Sequence, residues 1–276
     1  MSFLQEGFLA RIFASGAVGD ELFFFCIKPI AILLCCVVIP YLLGSVNTAI
    51  IVSKLLFRDD IRGHGSGNGG ATNMYRTFGA KGAIPTVVGD VLKSFLSILI
   101  AGLCCGFYSI GGFSFAPDEP SLFVLSVGEN PIVVGTYLAA VFCILGHVFP
   151  IYYRFKGGKG VLSSFIVALM LNRWLALLLF LIFVIVVAFT RYISLGSTVG
   201  AALYPVFLPP LFQGLFGGAY PPIYIVLFGF FIAGVIVLKH IPNLKRIMDH
   251  EESKFSFRRP PKLDEPEKTE DHDEGK

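Results

Sequence analysis

The chain has 276 residues, 55% hydrophobic and only 15% charged, with mean hydropathy +0.74 and net charge +3. A soluble domain carries about 25% charged residues, so the composition excludes an ordinary soluble protein. So small a positive excess also argues against nucleic acid as a partner.

Residues 1–25 form an N-terminal extension with Arg11 and apolar positions near helical spacing. They read either as a short interfacial helix or as a disordered segment. The first apolar run, Ile30–Leu55, is long enough to cross a bilayer, which takes about 20 residues, and Pro40 and Gly44 predict a kink in it. The polar loop Gly65–Arg76, GSGNGGATNMYR, follows, with four glycines, Ser66, Asn68, Thr72, Asn73 and one arginine. Glycines allow backbone N–H groups to approach an anion closely, and a guanidinium can clamp its oxygens.

Ile84–Tyr108 is the second span. It holds Asp90 and Lys93 three residues apart, hence on one helix face. Ionisable groups at such a place face the bundle interior, either as a mutual ion pair or with Lys93 on a substrate phosphate. Pro131–Phe149 is the third, ending at His147 beside a second glycine loop, FKGGKG at Phe155–Gly160. Val161–Phe189 reads as one tilted helix or as two helices turning at Asn172–Arg173. Tyr192–Phe212 and Ile223–Leu238 complete the apolar runs.

Charge parity separates the two readings of Val161–Phe189. Lys54–Lys81 carries five Lys/Arg, Arg154–Lys159 three and Lys239–Lys276 nine, whereas Ser109–Asn130 and Gln213–Pro222 carry none. Basic loops favour the cytoplasm, and only two helices put all three basic segments on one side. The expected fold is therefore an all-α polytopic membrane protein of seven transmembrane helices over residues 26–250. Its N-terminus is outside and its C-terminus cytoplasmic, and its fourth helix is only about 11–14 residues long, short of a full span. Residues 251–276 hold nine acidic and six basic residues and read as a disordered charged tail.

This topology gathers both glycine loops, the turn RYISLGS at Arg191–Ser197 and HIPNLKR at His240–Arg246 on the cytoplasmic face. Each mixes cations with glycines, hydroxyls or amides, a recipe for binding phosphate. Gly65, Gly67 and Gly70 satisfy G-x-G-x-x-G, but without a preceding strand the dinucleotide reading fails. Lys159 is followed by Gly160, so the second loop is no ATP-binding P-loop. The six cysteines lie in apolar runs and form no C-x-x-C pair, and no metal site or cofactor is expected. No histidine has an aspartate five residues on, so no H-x-x-x-x-D pair is present to act as a base. A transporter for a phosphorylated solute is the rival reading, and the odd span count and lack of an internal repeat count against it.

Taken in order, YLLGSVNTAIIVSK (Tyr41–Lys54, with Asn47 for an expected proline), GSGNGGATNMYR, GHVFPIYYRFKGGKGV (Gly146–Val161), RYISLGS and HIPNLKRI resemble one family. It is the bacterial membrane-embedded family that acylates glycerol 3-phosphate from acyl phosphate. The resemblance implies lysophosphatidic acid and phosphate as products, a site facing the cytoplasm of the cell membrane, and the acyl-phosphate-producing enzyme as a functional partner. It also implies roles. Ser66, Gly67 and Asn68 with Gly157 and Gly158 would hold the acyl phosphate and its developing oxyanion. Arg76, Lys156 and Lys159 would bind phosphate with Ser197, and His240, Ser194 and Asn243 are the candidate catalytic groups. His147, Asp90 and Lys93 would support them.

Overall fold

The computed structural model describes residues 28–105, 109–110, 113–114, 131–215, 221 and 223–256. The N-terminal extension, most of the loop 109–130 and the tail beyond residue 256 lie outside the described residues.

Inside hydrocarbon every backbone group must be satisfied within its own segment, so each apolar run folds as helix. The first run contains α1 (Lys28–Leu33), a π-helical turn (Leu34–Val38), α2 (Ile39–Ser45) and α3 (Thr48–Phe57). Pro40 has no N–H to donate, and the widened turn stands just before it. The main interruption is not at Pro40 or Gly44 but at Val46–Asn47. There the backbone becomes extended and the Asn47 side chain accepts from the Ile50 N–H at 3.1 Å, capping α3.

The next helices are α4 (Ala71–Cys105), broken at Gly79 (φ +66°), and α5 (Pro131–Val148), with a pair of two-residue strands, Ser109–Ile110 and Phe113–Ser114, between them. The ambiguous apolar run divides at Asn172 into α6 (Val161–Leu171) and α7 (Arg173–Thr190). The last two helices are α8 (Ile193–Leu215) and α9 (Ile223–Met248). Among the described residues, six helical stretches are long and apolar enough to cross a membrane. Val161–Leu171 is apolar but has only 11 residues, a rise of about 16 Å. The HIPNLKR motif lies past the last apolar run, yet α9 continues through Pro242 and presents it on a helix.

Two glycines set the closest crossing. A Cβ on Gly44 would overlap the Cys143 carbonyl, and one on Gly146 would overlap the Tyr41 carbonyl. Small residues thus let α2 and α5 touch backbone to backbone, which fixes His147 one residue beyond the crossing. The apolar core joins Ile98, Tyr137, Ala140, Val167, Leu175, Leu208 and Ile225. Large apolar side chains such as Leu55, Phe189 and Ile223 stand exposed on the perimeter, as suits a surface bathed by lipid.

Candidate active site

The first glycine loop is tied by Asn73, near the start of α4. Its Nδ2 donates to the carbonyls of Ile61 (3.3 Å), His64 (2.9 Å) and Asn68 (3.1 Å), while its Oδ1 accepts from the Ser66 N–H at 3.0 Å. Gly65 and Gly67 turn the chain with φ of +55° and +69°, a region costly for other residues. Asn47 Nδ2 donates to the Gly69 carbonyl at 3.3 Å, so the residue that caps α3 also anchors the loop. Arg76 lies three residues beyond Asn73 on the same helix.

The second loop folds back on His147, whose carbonyl accepts the Gly158 N–H at 3.1 Å. A Cβ on Gly157 would meet that carbonyl, and one on Gly158 would meet His147 Nε2. Both glycines are therefore required by close approach. Lys159 turns inward, and its ammonium donates to Asn243 Oδ1.

Beneath the loops lies a buried ionic cluster. Lys93 Nζ is 2.8 Å from Asp90 Oδ1, and it donates to the Val46 carbonyl (2.9 Å) and to His147 Nδ1 (2.8 Å). Thr48 Oγ1 donates to Asp90 at 2.7 Å. The break in the first span, which leaves the Val46 carbonyl outside the helical ladder, thus supplies one partner of a buried ammonium. An ammonium can only donate, so His147 accepts at Nδ1 and carries its proton on Nε2.

The helices α8 and α9 complete the site. Ser194 Oγ (3.0 Å) and Asn243 Nδ2 (2.7 Å) donate to Glu252 Oε1, and Arg246 Nε donates to Oε2 at 2.9 Å. Burial pushes the Glu252 carboxyl up, but the hydrogen bonds from Asn243, Arg246 and Ser194 outweigh it and hold the group below the ordinary carboxylate range. His240 Nδ1 donates to the Ile236 carbonyl at 2.8 Å, which leaves Nε2 as a hydrogen-bond acceptor. Ser197 Oγ donates to the Ile193 carbonyl at 2.9 Å.

These groups meet at one cavity of ≈ 400 Å³. Its polar end is lined by Ser66, Asn68, Arg76, Lys159, Ser194, Ser197, His240 and Asn243. Asp90 and His147 of the ionic cluster also reach its lining, and its other walls are mainly apolar, among them Phe165, Val167, Phe183, Ala201 and Ile232. Arg76, Lys159 and Arg246 against Glu252 leave two net positive charges at the polar end, the complement of a phosphate dianion.

Burial lowers the Lys159 pKa to about 8, against the opposing pull of Glu252. The ammonium is charged below that pH and neutral above it. Turnover at low substrate should therefore fall by one proton's slope above about pH 8, and Lys159→Arg should carry that limb to higher pH. A pH profile of kcat/KM for both proteins checks this; an unmoved limb in Lys159→Arg would assign it to another group.

The glycerol-3-phosphate acyltransferase family model matches residues 34–250. The chain belongs to this family. Glycerol-3-phosphate acyltransferases of Clostridioides difficile and Trichlorobacter lovleyi are 34% and 38% identical over 218 and 215 residues. Each alignment covers 93% of the relative, and 79% and 78% of this chain respectively. The fold is similar to the crystal structure of PlsY (YgiH), an integral membrane glycerol 3-phosphate acyltransferase, in its glycerol 3-phosphate form. The TM-score is 0.64 at 27% identity, over 82% of this chain and 96% of that one. The lysophosphatidic acid form of the same protein gives 0.61 at 26% identity, over 82% and 95%.

The structure brings most of the expected site residues of this glycerol-3-phosphate acyltransferase family member together, but not all. Lys156 is exposed and lies off the cavity wall, as do Gly67, Gly157 and Gly158. The N–H groups of Ser66, Gly67 and Gly158 already donate to Asn73 Oδ1 and to the carbonyls of His64 and His147. In this arrangement those three amides shape the loops and do not face an oxyanion. Lys93 is covered by Asp90, Val46 and His147 and is also absent from the cavity wall.

Sequence reasoning missed the organising roles of Asn73, Asn47 and Thr48, and it placed Glu252 in a disordered tail. Residues 251–256 instead pack on the site. Arg76 Nη2 donates to the Ser253 carbonyl at 3.1 Å, and the Phe255 N–H to the Arg191 carbonyl at 2.7 Å. Nothing in the sequence separates Glu252 from Glu251; its place six residues after Arg246, past the turn at His250 (φ +60°), gains meaning only in three dimensions.

Proposed function

We propose that the protein transfers a fatty acyl group from acyl phosphate to the 1-hydroxyl of glycerol 3-phosphate. The hydroxyl oxygen attacks the acyl carbonyl carbon, the bond from that carbon to the phosphate oxygen breaks, and lysophosphatidic acid and inorganic phosphate leave. The observation that carries this reading is the single cavity joining a doubly positive, hydroxyl- and amide-rich end to an apolar arm. A phosphorylated headgroup and a fatty chain need those two environments in one place. The glycerol 3-phosphate and lysophosphatidic acid forms of the similar PlsY support the same substrate and product.

Arg76 and Lys159 hold phosphate, with Ser194, Ser197 and Asn243 as hydrogen-bonding partners. Ser66 and Asn68 face the acyl phosphate from the first loop. The Nε2 lone pair of His240 orients the glycerol hydroxyl. The donor is already activated, so positioning supplies most of the acceleration, and the departing phosphate takes the hydroxyl proton. His147 supports the second loop, and Asp90 and Lys93 hold His147. Purified protein should form lysophosphatidic acid from palmitoyl phosphate at least tens of times faster than from palmitoyl-CoA, about 1.4 kcal/mol of barrier per tenfold. Comparable rates would overturn the donor assignment and leave the acceptor in place.

The chain crosses the membrane seven times in this reading, the short α6 counting as the fourth crossing, with the N-terminus outside and the site open to the cytoplasm. The distribution of Lys and Arg supports it. Single cysteines at Lys81 and in the tail should react with an impermeant maleimide only from the cytoplasmic side, and one within residues 109–130 only from outside. A tail labelled from outside would contradict the topology.

A further inference from the structure

The apolar arm of the cavity has a polar floor. Asn172, at the turn between α6 and α7, donates its Nδ2 to Tyr137 Oη at 2.7 Å and to Tyr204 Oη at 2.9 Å. Both tyrosines line the cavity. Around them the core is solid: Leu175, Leu208 and Ile225 are 1%, 2% and 0% exposed and belong to the same packed cluster.

Three helices give the depth of this floor independently. Tyr137 stands ten residues before His147 on α5, and Tyr204 ten residues after Ser194 on α8, which at ~1.5 Å per residue is about 15 Å in each case. Asn172 follows the 11 residues of α6, which begin just past Lys159, about 16 Å by the same rise. This is about half of a ~30 Å hydrocarbon core, the reach of an acyl chain within one leaflet.

We propose that Tyr137 and Tyr204, pinned by Asn172, are the stop that sets the longest acyl chain the protein accepts. The inference rests on the reading of the cavity as an acyl-phosphate site. A chain reaching further would have to displace two aromatic rings and break both Asn172 hydrogen bonds. That would leave an amide and two hydroxyls unpaired among apolar side chains, so the floor resists yielding where a purely apolar one would repack. Gly196, Gly200 and Gly229 line the wall above the floor; a Cβ at Gly196 or Gly229 would crowd neighbouring side chains, and Gly200 is the one with open space. Gly200 lines the cavity on α8, and the nearest atom to a Cβ added there is the Leu179 carbonyl oxygen at 3.9 Å, so a side chain at 200 has room to occupy the arm.

The test uses full-length protein in mixed micelles, with glycerol 3-phosphate and an equimolar set of lauroyl, myristoyl, palmitoyl, stearoyl and arachidoyl phosphates. Products are resolved by mass, so that each donor's relative kcat/KM comes from one vessel. Wild type should show a sharp fall beyond one chain length. Tyr204→Leu should move that fall to longer chains, raising the stearoyl-to-myristoyl ratio about tenfold or more. Gly200→Leu should move it the other way by a similar factor. Tyr204→Phe keeps the ring and loses only the hydroxyl, and should give a smaller shift toward longer chains. If Tyr204→Leu does not survive purification, Gly200→Leu and Tyr204→Phe decide the question. Unchanged length profiles in active variants would overturn the stop while leaving acyl transfer intact. Absence of product from every acyl phosphate with wild type would overturn the acyl-phosphate reading itself, and the stop with it.

Discussion

Arg76→Ala should abolish acyl transfer, by at least a hundredfold in kcat/KM, with the protein still inserted and monodisperse in detergent. The guanidinium is the cation contributed by the first loop to the cavity, on a helix whose start is locked by four hydrogen bonds through Asn73. Charge-assisted hydrogen bonds contribute about 1.5–3 kcal/mol each, and two to a phosphate reach that factor. Arg76→Lys should recover little, because a point charge cannot offer the paired, planar donors that phosphate oxygens accept. Losing the bond to the Ser253 carbonyl touches only one edge of the site and should not unfold the protein. Steady-state kinetics on both variants, with gel filtration as the control for folding, check this. Near-normal turnover in Arg76→Ala would remove the first loop from the chemistry.

Breaking the buried pair should be the most damaging change to stability. Asp90 and Lys93 are 2% and 5% exposed, and removing one partner of such a pair typically costs about 3–5 kcal/mol because the other charge is left uncompensated. Asp90→Asn and Lys93→Met should each lower the thermal unfolding midpoint in detergent more than the double substitution does. The neutral pair still lacks the ties to Val46 and His147, so the double variant should remain below wild type. Additive losses would show that the two residues are energetically independent. A Lys93→Met protein that is stable yet inactive would instead place the ammonium in the reaction.

What the sequence made legible was what depends on composition along one segment. Apolar runs marked the helices, and the Lys/Arg count divided residues 161–189 at Asn172 although hydropathy alone did not. The two glycine loops were visible because loops rich in glycine and cations are rare in so apolar a chain. What stayed hidden depends on distance across the fold. Lys156 and Lys159 look equivalent in FKGGKG, and only the packing of Gly157 and Gly158 against His147 shows which one turns inward. Asn47 read as a departure from an expected proline, whereas its side chain caps a helix and holds the first loop. Glu252 was indistinguishable from its acidic neighbours, because its role comes from three donors on two helices that meet only in three dimensions.

The most direct test of the central claim is the structure of the protein with glycerol 3-phosphate and a non-transferable acyl phosphonate bound. The account predicts phosphate density between Arg76, Lys159, Ser197 and Asn243. The acyl chain should run from Lys159 along α6 and α8 toward Tyr204. Phosphate seated instead on the outer face of the second loop at Lys156, or an acyl chain lying outside the cavity on the perimeter, would contradict it.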